Sequence, residues 1–251
     1  MQVALNAAYV EAMLLAGLRI VAFLVVAPPF SFSGIPMRIK GMLAIALSLV
    51  VAPRAADGYP ASLETGPFLL ALVSQLIIGA LIGFLVAMVF SAVQAAGNLV
   101  DLFAGFNMAQ AFDPQMNVNG AQMTRLMQMV ALGLLFVSGG MELLLGGLVR
   151  TFDALPLDAV LQADAGERLL PALGATFLAS VQIAGPICVV LFLADVGLGL
   201  LTRVAPALNA FQMGFPLKIL ITLLAGGGLF LALPRVVGGL TEDALRLMGG
   251  M

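Results

Sequence analysis

The sequence predicts an all-α integral membrane protein made of helical hairpins, and three observations lead to this fold class. The chain has 251 residues, of which 62% are hydrophobic and only 10% are charged, whereas a soluble domain carries roughly 25% charged residues. Several apolar runs approach or exceed the roughly 20 residues that a helix needs to cross a bilayer. Prolines and cations stand at the ends of these runs, which is typical of kinked and partly re-entrant segments.

The composition also excludes several function classes. The net charge is −2 with no long run of one sign, which argues against nucleic-acid binding. The chain contains no histidine, and its single cysteine, Cys188, cannot form an intrachain disulfide. We therefore expect no transition-metal site and no other cofactor. Hydrolase, P-loop and dinucleotide-binding motifs are missing as well, so we do not expect an enzyme.

About six hydrophobic segments follow one another along the chain. The fourth is split by Gly139 and Gly140, and the fifth should kink near Gly185 and Pro186. The more polar run Gln94–Gln110 predicts either an amphipathic helix or a continuation of the third segment. A short amphipathic helix should begin near Thr241, after a stop at Pro234. The predicted segments are Ala8–Phe30, Met37–Pro53, Pro67–Val93, Gln122–Val149, Leu169–Leu201 and Leu217–Leu233.

The stretch Gly199–Ile221 predicts the tip of a helical hairpin. Arg203 and Pro206 should end one helix, Asn209 lies in the turn, and Pro216 with Lys218 should open the next helix. A similar order of residues follows the first apolar segment, which indicates a hairpin unit that is used twice. Chance similarity in a sequence of low complexity is the alternative. When each run crosses once, five cations face each side, so no positive-inside bias appears.

Ionisable side chains inside the apolar runs are candidate functional groups. Glu142 and Asp195 could form a proton relay if their helices bring them to the same depth. The alternative is that such charges form buried pairs that fix the register of neighbouring helices. The intramembrane charges are Glu11, Arg19, Asp101, Glu142 and Asp195.

The segment Phe103–Met116 combines aromatic and methionine side chains with a turn. Methionine packs adaptably, so this composition suits a plug that closes a pore and yields when cargo passes. Ordinary core packing at a helix end is the alternative. The candidate plug and gate residues are Gly105, Phe106, Met108, Phe112, Asp113, Pro114 and Met116.

Four ordered blocks of the sequence resemble the flagellar biosynthetic FliR family and the related T components of type III secretion. The first block contains Arg19, Pro28, Pro36 and Arg38, and the second runs from Gly105 to Gln115. The third combines Gly140 with Phe152 and Pro156, and the fourth is the predicted tip. The residues of the tip that carry the match are Arg203, Pro206, Asn209, Phe211, Gly214, Phe215, Pro216 and Lys218.

The match departs from the family pattern at three places. Ala207 replaces a glutamine, Met141 replaces a histidine, and Thr151 replaces a serine before Phe152. The Gly139-Gly140 pair is closer to the secretion branch, whereas Gly214-Phe215-Pro216 is closer to the flagellar branch. The resemblance favours the flagellar branch.

The resemblance implies a non-enzymatic subunit of a flagellar type III protein export gate. Such subunits assemble with P and Q partner subunits, next to the export-apparatus B and A proteins, in the flagellar basal body of the bacterial inner membrane. The gate passes unfolded flagellar proteins, and its plug falls on Gly105–Asn119 here. The implied division is residues 1–168, with the plug at about 105–119, and residues 169–251. A virulence-type secretion gate and a secondary transporter of small solutes are the alternatives.

Overall fold

Seven helices make up almost all of the residues that the structure describes. The computed structural model describes residues 7–31, 34–56, 65–106, 122–158, 165–205 and 210–250, and these residues contain no strand. The predicted all-α fold is therefore confirmed. In chain order the helices are α1 (Ala7–Val26), α2 (Met37–Ala55), α3 (Thr65–Ala104), α4 (Gln122–Val137), α5 (Gly140–Ala154), α6 (Ala165–Val204) and α7 (Ala210–Gly249).

Four of these helices are long and apolar enough to cross a membrane, namely α1, α3, α6 and α7. The pair α4 and α5 adds a fifth candidate, because together they pass the same test but are bent by 72°. The bend lies at Gly139, whose φ of 73° is left-handed and favours glycine. The split predicted at Gly139 and Gly140 is thus confirmed, and the predicted count of six segments is approximate.

Helix α3 decides between the two alternatives for the polar run after Val93, a separate amphipathic helix or a continuation of the third segment. Its 40 residues run without a break from Thr65 to Ala104, a length of about 60 Å at 1.5 Å per residue. The polar run after Val93 is therefore a continuation of the third segment. Helix α6 likewise runs through Gly185 and Pro186 without interruption.

Two proline predictions are wrong, because both residues lie inside α7. Pro216 was expected to open a helix and Pro234 to end one, yet the helix runs from Ala210 to Gly249. Thr241 is likewise an interior residue of α7, not the start of a separate helix. An interior proline loses one backbone hydrogen bond. Ending the helix would leave several backbone groups unpaired, which is more costly in apolar surroundings.

The first hairpin tip follows the predicted pattern more closely. Helix α1 ends at Val26, and Pro36 stands at the N-cap of α2 with a φ of −59°. A proline is tolerated there because the first helical N–H groups have no partner within the helix. The helices that lead into the two tips, α1 and α6, thus both end at a valine, Val26 and Val204. The tips differ in the position of the proline, because Pro36 stands before α2 whereas Pro216 lies inside α7.

The chain forms two compact units. The first contains residues 1–89, 139–172 and 240–251. In it α1 packs along α2, and α2 also contacts α5. Gly147 of α5 lies against Leu245 and Met248 of α7. The core of this unit is built around α1, whose fully buried large side chains are Leu15, Arg19, Ile20, Phe23 and Leu24.

The second unit contains residues 90–138 and 173–239. Helix α4 turns one face inward, because Met123, Met127 and Leu135 recur at helical spacing and are buried. Gly226 of α7 lies next to Met123. The division of the chain after residue 168 stays a prediction.

Candidate functional site

Arg19 is completely buried in the first unit and is surrounded by hydrogen-bond acceptors. Its Nε donates to Oε1 of Gln75 at 2.6 Å, and its Nη1 donates to the Thr151 carbonyl at 3.2 Å. Its Nη2 donates to the carbonyls of Leu155 at 2.8 Å and Pro156 at 3.4 Å. Within the described part of the chain no carboxylate pairs with this guanidinium. Backbone and amide dipoles therefore compensate the buried charge.

The partners of Arg19 are held in place by further contacts. The guanidinium carbon lies 4.2 Å from the centre of the Phe152 ring, which allows a cation–π interaction. The Gln75 amide donates to the Leu157 carbonyl at 3.0 Å. The cluster thus fixes the carboxyl end of α5 and the turn that follows it, where free carbonyls favour a cation.

Two glycines of α3 bring its backbone next to α1. A Cβ atom at Gly79 would collide with the Arg19 carbonyl, and one at Gly83 would lie 3.0 Å from the Phe23 carbonyl. The four-residue spacing places both glycines on one face of α3. Such pairs allow close helix contact in an apolar medium. The contact at Gly79 also places Gln75, one turn earlier, within reach of Arg19.

Asp101 forms the polar centre of the second unit. It is completely buried near the end of α3, and its carboxylate caps the start of α4. The backbone N–H groups of Met123 and Thr124 each donate to it at 2.9 Å. The Thr124 hydroxyl lies 2.6 Å from Asp101 Oδ2 and 2.9 Å from Asn98 Oδ1. A carboxylate is favourable at a helix N-terminus, because the first N–H groups have no partner within the helix.

The same turn of α3 ends the helix with a left-handed glycine. Gly105 has a φ of 80°, and its N–H donates to the Leu102 carbonyl at 3.2 Å. The Phe106 N–H donates to the Asp101 carbonyl at 3.1 Å. This pair of bonds is the Schellman arrangement that commonly closes a helix. Asp101 therefore fixes the end of α3 with its backbone and the start of α4 with its side chain.

The Gly97 backbone packs directly against α4. A Cβ atom at Gly97 would collide with the Thr124 backbone, so only glycine permits this approach of α3 to α4. We call the group Gly97, Asn98, Asp101, Met123 and Thr124 the Asp101 clamp.

Helix α7 contacts the end of α3 within the same unit. A Cβ atom at Gly105 would lie 2.8 Å from the Phe215 ring. One turn further, Lys218 of α7 forms an ion pair with Asp195 of α6 at 2.5 Å. The Lys218 side chain is 17% exposed and that of Asp195 is 45% exposed. Gly105, the first residue of the predicted plug, thus lies next to Phe215 of the predicted tip.

Some of the remaining predicted site residues are described by the structure, and the others are not. Arg203, Pro216 and Glu142 are exposed, and Phe106 is half-buried. Glu11 is half-buried, and its Oε2 has no hydrogen-bond partner among the described residues. The other predicted residues, together with the side chain of Phe211, lie outside the described residues; they are Met108, Phe112, Asp113, Pro114, Met116, Pro206 and Asn209.

Sequence reasoning did not assign a role to Gln75, Gly79 or Thr124. The four-residue spacing of Gly79 and Gly83 is a signal that could have found the close contact with α1. Gln75 is the one amide in a long apolar run, and a buried amide needs partners. Across the described ranges no group of three or more Cys, Asp or Glu side chains could hold a metal ion.

Comparison with known proteins places this chain in a family. The profile described as "Bacterial export proteins, family 1" matches residues 10–244. The chain is 34% identical to the flagellar biosynthetic protein FliR of Escherichia coli (strain K12), over 90% of this chain and 85% of that protein. It is 28% identical to FliR of Bacillus subtilis (strain 168), over 94% and 93% of the two chains. It is 26% identical to Yop proteins translocation protein T of Yersinia pestis, over 72% and 70%. The chain therefore belongs to the bacterial export proteins, family 1.

Proposed function

We propose that this protein is a subunit of a flagellar type III protein export gate. With P and Q partner subunits it forms a channel for unfolded flagellar proteins. One observation carries this proposal: the similarity to flagellar biosynthetic FliR proteins spans 90% or more of this chain. It acts by forming a passage and carries out no chemical step.

The exposed apolar surface supports an assembly of several subunits. In an apolar stretch of 18 residues in each helix, only 22% of the stretch in α6 and 17% of the stretch in α7 are buried within the chain. Large side chains such as Phe177, Leu224 and Leu231 are more than two-thirds exposed. Large apolar side chains exposed in this number favour contact with lipid or other proteins. In this proposal they contact partner subunits in the inner membrane at the flagellar basal body, next to the B and A proteins.

The proposed plug is the segment Gly105–Asn119. It begins at the Schellman end of α3, and the next described element after it is α4. The geometry around Asp101 supports this assignment because both flanks of the segment are fixed within one unit. Phenylalanine and methionine side chains suit a closure that excludes ions by dewetting.

Deleting Phe112–Asn119 tests the plug. We expect the gate to assemble at wild-type levels but to leak small ions, measured as membrane conductance or as loss of membrane potential in intact cells. A deletion of residues 159–164, which lie outside the plug, is the control for loss of a connecting segment. Unchanged conductance in the plug deletion, with normal assembly, overturns the plug assignment.

The exported proteins test the function itself. We expect that removing this chain from its native cell stops the export of hook and filament proteins into the medium, and that the wild-type chain restores it. Mass spectrometry of the medium identifies the missing proteins. Normal export without the chain contradicts the proposal.

A virulence-type secretion gate is the second candidate, and the similarity to Yop proteins translocation protein T favours it. It predicts that the same removal eliminates secreted proteins other than hook and filament proteins. No new observation favours a small-solute transporter, since Asp195 is paired with Lys218 instead of standing as a free carboxylate.

A further inference from the structure

We propose that the cavity between the carboxyl ends of α2 and α5 binds the headgroup of a phospholipid of the phosphatidylethanolamine class. Arg54 of α2 binds the phosphate, and Asp153 of α5 binds the primary ammonium group. The acyl chains lie along the exposed apolar face of α2. The inference goes beyond the proposed function, since it assigns a lipid ligand to this chain and requires only that the chain lies in a membrane.

The first support is the cavity itself, which lies within the first unit and has a volume of about 40 Å3. Val51 and Phe152 line it and are buried, whereas Arg54 and Asp153 line it and are exposed. Arg19 lies 4.2 Å from the centre of the Phe152 ring and helps to fix this wall. One water-sized group needs roughly 10–15 Å3. The cavity therefore has room for an ammonium group.

The second support is the charge of the two exposed residues. Arg54 and Asp153, both of which the structure describes, line the same cavity but form no ion pair with each other. Asp153 would repel a simple anion at Arg54, and Arg54 would repel a simple cation at Asp153. A ligand that carries both charges satisfies both residues. A guanidinium binds phosphate bidentately, and a primary ammonium donates charge-assisted hydrogen bonds to a carboxylate.

The third support is the apolar surface beside the cavity. The buried face of α2 consists mainly of small residues, whereas Met42, Ile45 and Val50 are more than half exposed. Val50 also lines the cavity, so this apolar face continues into it. Arg54 stands in the last turn of the same helix. Arginine at the end of a lipid-facing helix extends its guanidinium to the headgroups while its stem stays among apolar groups. The surface therefore favours a phospholipid over a soluble zwitterion.

Lipid binding to the purified protein, with the subunits that copurify with it, tests the inference. Native mass spectrometry counts the bound lipid after equal additions of phosphatidylethanolamine, phosphatidylcholine and phosphatidylglycerol. We expect phosphatidylethanolamine to bind about tenfold more tightly than the other two, because choline has no N–H donor and glycerol has no positive charge. Free phosphoethanolamine at the same concentration should not displace the lipid, since it has no acyl chains to bury.

Three variants locate the lipid. Arg54→Gln and Asp153→Asn should each weaken the binding of phosphatidylethanolamine about tenfold, because each removes one charge-assisted contact. Val149→Phe keeps both charges but fills the cavity, since Val149 lines it, and should remove one bound lipid per chain. Arg38→Gln and Asp158→Asn are the matched controls, because both side chains are exposed and neither lines the cavity. We expect wild-type binding in both controls.

Three results overturn the inference. One is equal binding of the three lipids, and another is wild-type binding of phosphatidylethanolamine in both Arg54→Gln and Asp153→Asn. The third is a photoreactive residue at Val50 that crosslinks to a copurifying protein and to no lipid, since the cavity would then be a protein interface. If Arg54→Gln does not accumulate, Asp153→Asn and Val149→Phe decide. None of these measurements depends on protein export, so a failed lipid site leaves the proposed function standing.

Discussion

Two pairs of long apolar helices in this chain are similar in composition but differ in how they are packed. In an apolar stretch of 18 residues in each helix, 44% of the stretch in α1 and 56% of that in α3 are buried within the chain. The corresponding shares are only 22% in α6 and 17% in α7. Helix α3 approaches α1 through Gly79 and Gly83, and buried Arg19 adds polar contacts. Hydropathy alone therefore does not tell a helix that packs within its own chain from one that leaves its surface to lipid or partners.

The largest expected effect is the loss of folding stability when Arg19 is replaced, compared with the same replacement of Arg203 at the end of α6. Arg19→Leu leaves the Leu155 and Pro156 carbonyls and the Gln75 amide without their buried donor. We expect a loss of folding stability of about 3 kcal/mol or more. The measurement is the thermal unfolding midpoint of the purified assembly, together with its level in membranes.

Arg203→Leu is the matched control, since the Arg203 side chain is exposed. Arg19→Lys should fall between wild type and Arg19→Leu, because lysine keeps the charge but lacks the planar fork of donors. Equal unfolding midpoints for Arg19→Leu and Arg203→Leu would contradict the structural role of Arg19.

A smaller effect is expected from one methyl group at a glycine. Gly79→Ala places a Cβ atom against the Arg19 carbonyl, so α1 and α3 must move apart. We expect a destabilisation of about 1–3 kcal/mol, which is typical of overpacking. Gly197→Ala in α6 is the control, because no heavy atom lies within 4 Å of a Cβ at that position. If both changes lower the unfolding midpoint equally, the close contact of α1 and α3 is wrong.

The smallest effect is expected at the ion pair of α6 and α7. Asp195 is almost half exposed, so screening weakens its attraction to Lys218. A double-mutant cycle of Asp195→Asn and Lys218→Met should give a coupling energy of about 1 kcal/mol or less. A coupling as large as the effect of Arg19→Leu would show that this pair becomes deeply buried in the assembly.

Local patterns predicted the elements of this fold well, but not the contacts between them. The apolar runs gave the helices, and Gly139 with Gly140 gave the break between α4 and α5. The predictions at Pro216 and Pro234 were wrong. Each interior proline costs one backbone hydrogen bond, but ending α7 would leave several backbone groups unpaired in apolar surroundings, which costs more.

The polar clusters were harder to predict for a different reason. Arg19 bonds mainly to backbone carbonyls, and these carry no residue-specific signal in a sequence. Asp101 caps a helix that begins more than 20 residues later, so no capping motif of adjacent residues is present. The sequence could mark both charges as unusual in apolar runs, but it could not name their partners.

Photocrosslinking from α6 and α7 in native membranes tests most directly whether partner proteins cover these helices. A photoreactive amino acid would replace Phe177 or Leu224, which are 71% and 73% exposed within the chain. We predict crosslinks at both positions to small apolar membrane proteins that copurify with this chain and match the P and Q subunits. Crosslinks to lipid alone at both positions, from a chain that purifies without other subunits, would contradict the proposed gate.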